Sequence, residues 1–161
     1  MSSFKDFLEL EAKRQRAETT ERDSVREEWI RAVDDLLALM IDWIKAADEN
    51  GVLKIERTTH KIREPRIGTY EAAGLRLVSG LRAIDVVPVA RYSIGSIVGD
   101  SLGTSIRHGR IDMSYGGRRF MLYRQTDGEG RLNWIIVDDQ DYIGRPFEQG
   151  TFEHAIESLL G

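Results

Sequence analysis

Residues 20–50 read TERDSVREEWIRAVDDLLALMIDWIKAADEN, and this stretch decides the fold class. Two apolar stripes follow the helical period, one at Val33, Leu36, Met40, Trp43 and Ala47, the other at Ile30, Leu37 and Ile44. Spacings of three and four residues are typical of a helix that buries one face. The pattern predicts a helix from about residue 20 to residue 49, ended by Asn50 and Gly51.

The apolar arc of this helix is wider than one sheet can cover, because Trp29, Leu39 and Ile41 extend it on both sides. A second cover must come from the short first helix of the chain or from the same helix of a second chain. We therefore expect a protein-interaction module that self-associates as a homodimer. The residues expected at this interface are Trp29, Val33, Leu36, Leu37, Met40, Trp43 and Ile44.

A shorter helix precedes the long one. Ser3 and Asp6 have the spacing of a capping box and predict a helix that runs to about Arg16. Thr19 and Thr20 are expected to interrupt it, so residues 1–50 are predicted to form a helical hairpin.

After Gly51 the apolar residues occur in short runs rich in Val and Ile, separated by turns that contain glycine, a pattern typical of antiparallel strands. The predicted strands are 52–57, with a continuation to 63, and 75–78, 81–90, 110–115, 118–124 and 132–137. They predict an antiparallel sheet of about six strands over residues 52–137, and such a sheet can be strongly curled. A closing helix over 150–160 carries an apolar face. The sequence thus predicts a single α+β domain over residues 1–161.

The strand runs also predict positions in the sheet. Residues 120–123 and 134–137 are apolar on both faces of the pleat, which favours central strands. Ile111 and Met113 alternate with Asp112 and Ser114, which favours a strand nearer an edge.

Composition excludes several classes of site. The 161 residues include no Cys, so disulfides, zinc–thiolate sites and a cysteine nucleophile are impossible. The longest apolar run is Leu36 to Ile41, and no basic-then-apolar leader opens the sequence, so we expect neither a membrane span nor a signal peptide. A cytoplasmic location is the expectation that follows.

Arginine is concentrated in the strand region, whereas both ends of the sequence are acidic. The arginines with the potential to bind anions are Arg107, Arg110, Arg118, Arg119, Arg124 and Arg131. The planar guanidinium suits phosphate and carboxylate, so binding of nucleic acid or another polyanion is an alternative function. The formal net charge of −4 argues against long-range attraction of a polyanion.

The glycine- and serine-rich segment 93–109 contains Gly99-Asp100-Ser101-Leu102 after Ile97-Val98. This block resembles the nucleophile block of the GDSL lipase and esterase family, and the resemblance implies that Ser101 is a nucleophile. The family pairs its serine with a distant Asp-x-x-His, but here Thr151 stands three residues before His154. A base and its orienting group are therefore not identifiable. We interpret the chain as non-enzymatic and keep hydrolysis at Ser101 as an alternative.

Metal and cofactor sites are not predicted. His60, His108 and His154 lie in separate predicted elements, without the spacing of a metal site. The acidic turn at Asp138, Asp139 and Asp141 lacks the further oxygen ligands of a calcium loop.

Overall fold

The computed structural model of the chain describes residues 3–95 and 105–161. The helices are α1 (Phe4–Ala47) and α2 (Gln149–Leu160). The strands are β1 (Lys54–Glu64), β2 (Gly68–Ser79), β3 (Arg82–Ala90), β4 (Ser93–Gly95), β5 (Ser105–Arg107), β6 (Gly109–Tyr115), β7 (Arg118–Thr126), β8 (Leu132–Asp138) and β9 (Gly144–Pro146). The predicted α+β architecture of long helix, antiparallel sheet and C-terminal helix is confirmed.

Helix α1 is one continuous helix of 44 residues rather than the predicted hairpin. The Ser3–Asp6 capping box forms as expected, with Asp6 N donating to Ser3 Oγ and Ser3 N donating to Asp6 Oδ2. The predicted break is absent because the hydroxyls of Thr19 and Thr20 donate to the carbonyls of Gln15 and Arg16, one turn earlier. The threonines therefore stay within the helical hydrogen-bond pattern.

Seven strands form the main sheet in the order β1-β2-β3-β6-β7-β8-β9, with every neighbouring pair antiparallel. The sequence patterns do not predict β9, which is only three residues long, or the separate β4–β5 pair. The predicted position of Ile111 and Met113 nearer an edge was wrong, because their strand β6 is the middle strand of the sheet. The alternation in β6 instead reflects a strand that turns Ile111 and Met113 toward the core and Asp112 and Ser114 toward the opposite face of the sheet.

Both helices pack on the same face of the sheet. Leu75, Ile84, Ile111 and Leu122 point from four strands into a core shared with α1 and α2. The opposite face carries a smaller apolar cluster of Met121, Tyr123 and Val137, with Ile135 packed against it. This second cluster explains why β7 is apolar on both faces.

Most of the wide apolar arc of α1 is enclosed within a single chain, while Leu39 stays 42% exposed. Six of the seven residues expected at a subunit interface lie in the core, namely Trp29, Val33, Leu36, Leu37, Met40 and Ile44, and Trp43 is half-buried. The second cover is the C-terminal segment, because the ring of Trp43 packs on those of Phe147 and Phe152, with centroids 5.6 Å apart in both pairs. The buried part of this apolar surface is therefore covered without a second subunit.

Candidate interaction surface

The first half of α1 projects from the folded body. We call residues 4–24 the arm: nearly all of its side chains are exposed, and only Glu11, Ala12 and Asp23 are half-buried. Contact with the folded body begins at Val25, which packs against the core, and at Arg26, whose Nη1 donates to the carbonyl of Ile67 over 3.1 Å. At about 1.5 Å per residue, the arm extends roughly 30 Å beyond the body.

The end of the arm carries four large apolar side chains that have no cover. We call Phe4, Phe7, Leu8 and Leu10 the tip; their exposed fractions are 74%, 54%, 48% and 66%. The rings of Phe4 and Phe7 stack with centroids 6.3 Å apart. Phe4, Phe7 and Leu8 have the i, i+3, i+4 spacing with which a helix presents apolar anchors to a groove. Exposed apolar clusters of this kind mark interaction sites.

The middle of the arm is polar and stabilised locally. Arg14 pairs with Glu11 at 2.7 Å and with Glu18 at 3.2 Å, one turn away on either side. Such pairs each stabilise a helix by a few tenths of a kcal/mol. The arm therefore supports a helical tip without offering an apolar seam along its length.

An apolar groove lies at the other end of α1. Its cavity has a volume of about 340 Å³. We call it the groove; its lining residues are Trp43, Ile44, Ala47, Asp48, Val52, Leu53, Phe152, Glu153, Ile156 and Glu157. Val52 is 63% exposed, and Asp48 accepts the backbone N–H groups of Val52 and Leu53 at 2.8 Å, which fixes the chain as it leaves α1. Two residues of the expected interface, Trp43 and Ile44, belong to this groove.

Five of the six predicted anion-binding arginines contact a carboxylate of the same chain. Arg110 donates through two nitrogens to Asp112 at 2.8 and 2.9 Å, and Arg119 approaches the same carboxylate. Arg118 pairs with Asp138. Arg124 pairs with Glu28, and Arg131 with Asp127 and Glu129. The side chain of the sixth, Arg107, lies outside the described residues.

The Ser101 block also lies outside the described residues. The three histidines each approach a hydroxyl: His60 that of Thr58, His108 that of Thr126 and His154 that of Ser158. Within residues 3–95 and 105–161, no group of three or more His, Asp or Glu side chains is arranged to hold a metal ion.

A buried polar cluster that the sequence analysis missed joins α1 to the sheet. Glu64, in the core, accepts the hydroxyl of Tyr70 and the backbone N–H groups of Arg91 and Tyr92, the last two at 2.9 and 3.0 Å. Trp29 Nε1 donates to the Tyr70 oxygen. Burial and the Glu64 carboxylate raise the pKa of Tyr70 well above its ordinary value. The phenol therefore stays protonated and can donate to Glu64.

A second part of this cluster surrounds Arg124, which is only 4% exposed. Its Nη1 donates to both carboxylate oxygens of Glu28, and its Nε and Nη2 donate to the carbonyl of His108. The guanidinium also lies over the ring of Trp29, 5.3 Å from its centroid. Burial, followed by the charges of Arg91 and Arg124, lowers the pKa of His108.

Arg91 completes the cluster on the sheet side. Its guanidinium carbon lies 4.8 Å from the centroid of the Tyr92 ring. Burial lowers its pKa, and the nearby charge of Arg124 lowers it further. The sequence gives no signal for this cluster, because its partners are separated by up to 96 positions.

A scan against models of known protein families finds no match, and neither the curated proteins nor the solved structures compared with the chain show a significant similarity. Neither α1 nor α2 is both long enough and apolar enough to cross a membrane, judged over the part of the chain that the structure describes.

Proposed function

We propose that this protein is a non-enzymatic interaction module that self-associates as a homodimer, in which the tip of each chain packs into the groove of the other. The observation that carries the proposal is the presence on one chain of an uncovered apolar tip and an open apolar groove. The long N-terminal helix remains the associating element expected from the sequence. The surface proposed for contact moves from residues 29–44 to the tip and the groove.

The tip of a chain cannot reach its own groove. The two lie at opposite ends of one continuous helix, and Phe7 is 36 residues from Trp43, or roughly 55 Å. A second copy is therefore required to bring a tip and a groove together.

Pairing of two arms along their length is less favourable. In a parallel pair the apolar seam would end after the tip, and Glu11 and Glu18 would approach their own copies. Like charges at such positions destabilise a helix pair. The polar middle of the arm thus directs the tip toward the groove rather than toward a second arm.

The expected area also favours two reciprocal contacts over one. Each tip side chain is roughly half to three-quarters exposed and can bury on the order of 100 Å². One tip and the groove surface that it covers then bury about 800 Å², which is no more than a crystal-packing contact. Two contacts related by a two-fold axis bury about 1,600 Å², the size of a standard specific interface.

The affinity that follows is moderate. Burying the eight tip side chains of a dimer contributes about 1–2 kcal/mol each, and association opposes this with at least several kcal/mol of lost freedom. We expect a dissociation constant in the micromolar range.

Sedimentation equilibrium across a wide concentration range tests the proposal. The wild type is expected to shift from the mass of one chain, 18.3 kDa, to twice that mass. Phe7→Glu in the tip and Ile156→Glu in the groove should each give a monomer. Leu132→Glu is the matched control, because Leu132 is 53% exposed and belongs to neither the tip nor the groove.

A mixture of the two variants makes the test specific. The Ile156→Glu chain has an intact tip and the Phe7→Glu chain has an intact groove, so the mixture recovers one of the two contacts. Association in the mixture that exceeds that of either variant alone supports the proposal. A wild type that stays monomeric, or a mixture no more associated than its components, contradicts it.

A further inference from the structure

A cavity at the end of the β6–β7 hairpin is lined by charged and polar residues. Its volume is about 420 Å³, and its lining includes Asp85, Ser114, Arg119 and the turn glycines Gly116 and Gly117. Cavities of this size with a few polar groups are typical of sites for small ligands. The cavity shares no residue with the tip or the groove, so what it binds is independent of the proposed dimer.

Three of the lining residues form one row across three neighbouring strands. The register pairs Asp85 of β3 with Ser114 of β6, and Ser114 with Arg119 of β7. A residue adjacent to each of them in the chain lies in the core, namely Ile84, Met113 and Phe120. Because successive side chains of a strand alternate between the faces, the three residues of the row point to the opposite face of the sheet. Neighbouring strands lie about 4.8 Å apart, so the Cα atoms at the two ends of the row are about 10 Å apart.

The carboxylate of Asp85 has no partner in the part of the chain that the structure describes. Asp85 is half-buried, and neither a hydrogen bond nor an ion pair with a described residue engages it. The register places the exposed Arg76 of β2 beside it, yet these two side chains do not form an ion pair. A partly buried carboxylate without a donor is unfavourable, and a cationic group from outside the protein relieves this cost.

The guanidinium of Arg119 is only loosely held. Its Nη1 lies 3.4 Å from Asp112 Oδ2, and the side chain is 50% exposed. The same carboxylate already accepts from two nitrogens of Arg110 at 2.8 and 2.9 Å. Two guanidinium groups thus share one carboxylate, which leaves a positive charge in excess. Arg118 also lines the cavity, but its charge is balanced by Asp138.

We propose that this cavity binds a small zwitterion, a molecule that carries both an ammonium group and a carboxylate, as an amino acid does. The ammonium group binds Asp85, the carboxylate binds Arg119, and the Ser114 hydroxyl between them donates to or accepts from the ligand. Asp85 and Arg119 do not pair with each other, because β6 separates their strands. A ligand with both charges satisfies both side chains at once, whereas a simple cation or anion satisfies only one.

Titration of the ¹⁵N-labelled full chain with alanine and with γ-aminobutyrate tests the site. The amide resonances of Ser114, Gly116 and Gly117 are the reporters, because all three residues line the cavity. Both charged partners are in part accessible to water, so we expect a dissociation constant on the order of 1 mM. Acetate and methylammonium, which carry one charge each, are the matched controls at equal ionic strength. We expect a zwitterion to shift the reporters until they saturate, and the controls to shift them little.

The two zwitterions differ in the distance between their charges. A stronger response to alanine supports a site for an α-amino acid, and a stronger response to γ-aminobutyrate supports a site for a longer zwitterion. If neither zwitterion produces a saturating shift, or if acetate or methylammonium shifts the reporters equally, the proposal is overturned.

Variants assign the binding to the two charged side chains. Asp85→Asn and Arg119→Gln each remove one charge and should each weaken zwitterion binding by about tenfold to a hundredfold, which is the loss of one charge-assisted contact. Asp42→Asn, on the exposed side of α1, and Arg131→Gln, with a side chain 72% exposed, are matched controls outside the cavity. Asp85→Asn should unfold at a urea midpoint no lower than that of the wild type, so lost binding is not lost folding. Wild-type affinity in Asp85→Asn or in Arg119→Gln would overturn the proposal.

Discussion

Gly109 lies against Trp29, and adding a single methyl group there tests how tightly α1 is held on the sheet. A Cβ at Gly109 would lie 2.1 Å from Cζ3 and 2.5 Å from Cη2 of Trp29. The indole is fixed on several sides, because Nε1 donates to Tyr70, Arg124 stacks on the ring and Trp134 packs 6.0 Å away. The indole therefore cannot move aside without disturbing the polar cluster.

Two effects add up in Gly109→Ala. Overpacking of a filled core destabilises by about 1–3 kcal/mol. The backbone φ of 155° lies in a region that side chains rarely adopt, which adds roughly 1–3 kcal/mol. We expect the free energy of unfolding to fall by about 4 kcal/mol, a large part of the 5–15 kcal/mol typical of a domain.

Urea unfolding followed by circular dichroism measures this loss as a lower midpoint at unchanged slope. Gly116→Ala is the matched control, since Gly116 also has a positive φ, 59°, but has open space around its Cβ position. That substitution should lose only the backbone part, about 1–2 kcal/mol. In a Trp29→Leu background, Gly109→Ala should likewise lose little more than the backbone part. Equal losses for Gly109→Ala and Gly116→Ala would refute the claim that Trp29 is immobile.

Three further predictions concern the arm and the buried cluster. Deletion of residues 1–22 should abolish association but leave the urea midpoint of the dilute monomer unchanged, because the arm makes no contact with the body before Asp23 and Arg26; a lower midpoint would show a contact that this account lacks. Glu64→Gln should lower the free energy of unfolding by about 2–3 kcal/mol, because the acceptor of three buried donors loses its charge. Urea unfolding measures this loss, and a free energy of unfolding equal to that of the wild type would contradict the role of Glu64. Folding lowers the pKa of His108, so its contribution to stability is complete above about pH 6.5 and is lost as the pH falls. When the free energy of unfolding is measured over a pH series, it should fall less steeply toward acid pH in His108→Gln than in the wild type. Identical slopes for the two proteins would refute the lowered pKa.

Local sequence patterns identified the elements better than their ends or connections. The strands predicted at 81–90, 110–115 and 132–137 differ from β3, β6 and β8 by at most one residue at either end. The interruption predicted at Thr19 and Thr20 was wrong, because a threonine hydroxyl can bond back to the preceding turn instead of breaking it. The spacing of apolar residues across that pair gives no sign of continuity, since residues 13–24 are mostly polar.

The sequence also could not reveal what covers the long helix. The sequence shows how wide the apolar surface of the helix is. The cover over Trp43 depends on Phe147 and Phe152, which lie more than a hundred residues further along the chain. The strand order decides which apolar surfaces pack against each other, and that order cannot be read from a single sequence. The lack of cover over the tip could not be read from the sequence either.

The two halves of α1 have different environments, and this difference connects the fold to the proposed association. From Trp29 onward the helix is fixed by the core, and the same unbroken hydrogen-bond pattern continues through the arm to the tip. The direction of the arm is therefore set by the packed half of α1, together with the contact of Arg26 on Ile67. A tip presented on a rigid helix loses less conformational freedom on binding than one on a flexible chain. The apolar pattern of residues 29–44 predicted an interface at those residues. In the structure they pack in the core instead, and this packing directs the helix that carries the proposed interface at the tip.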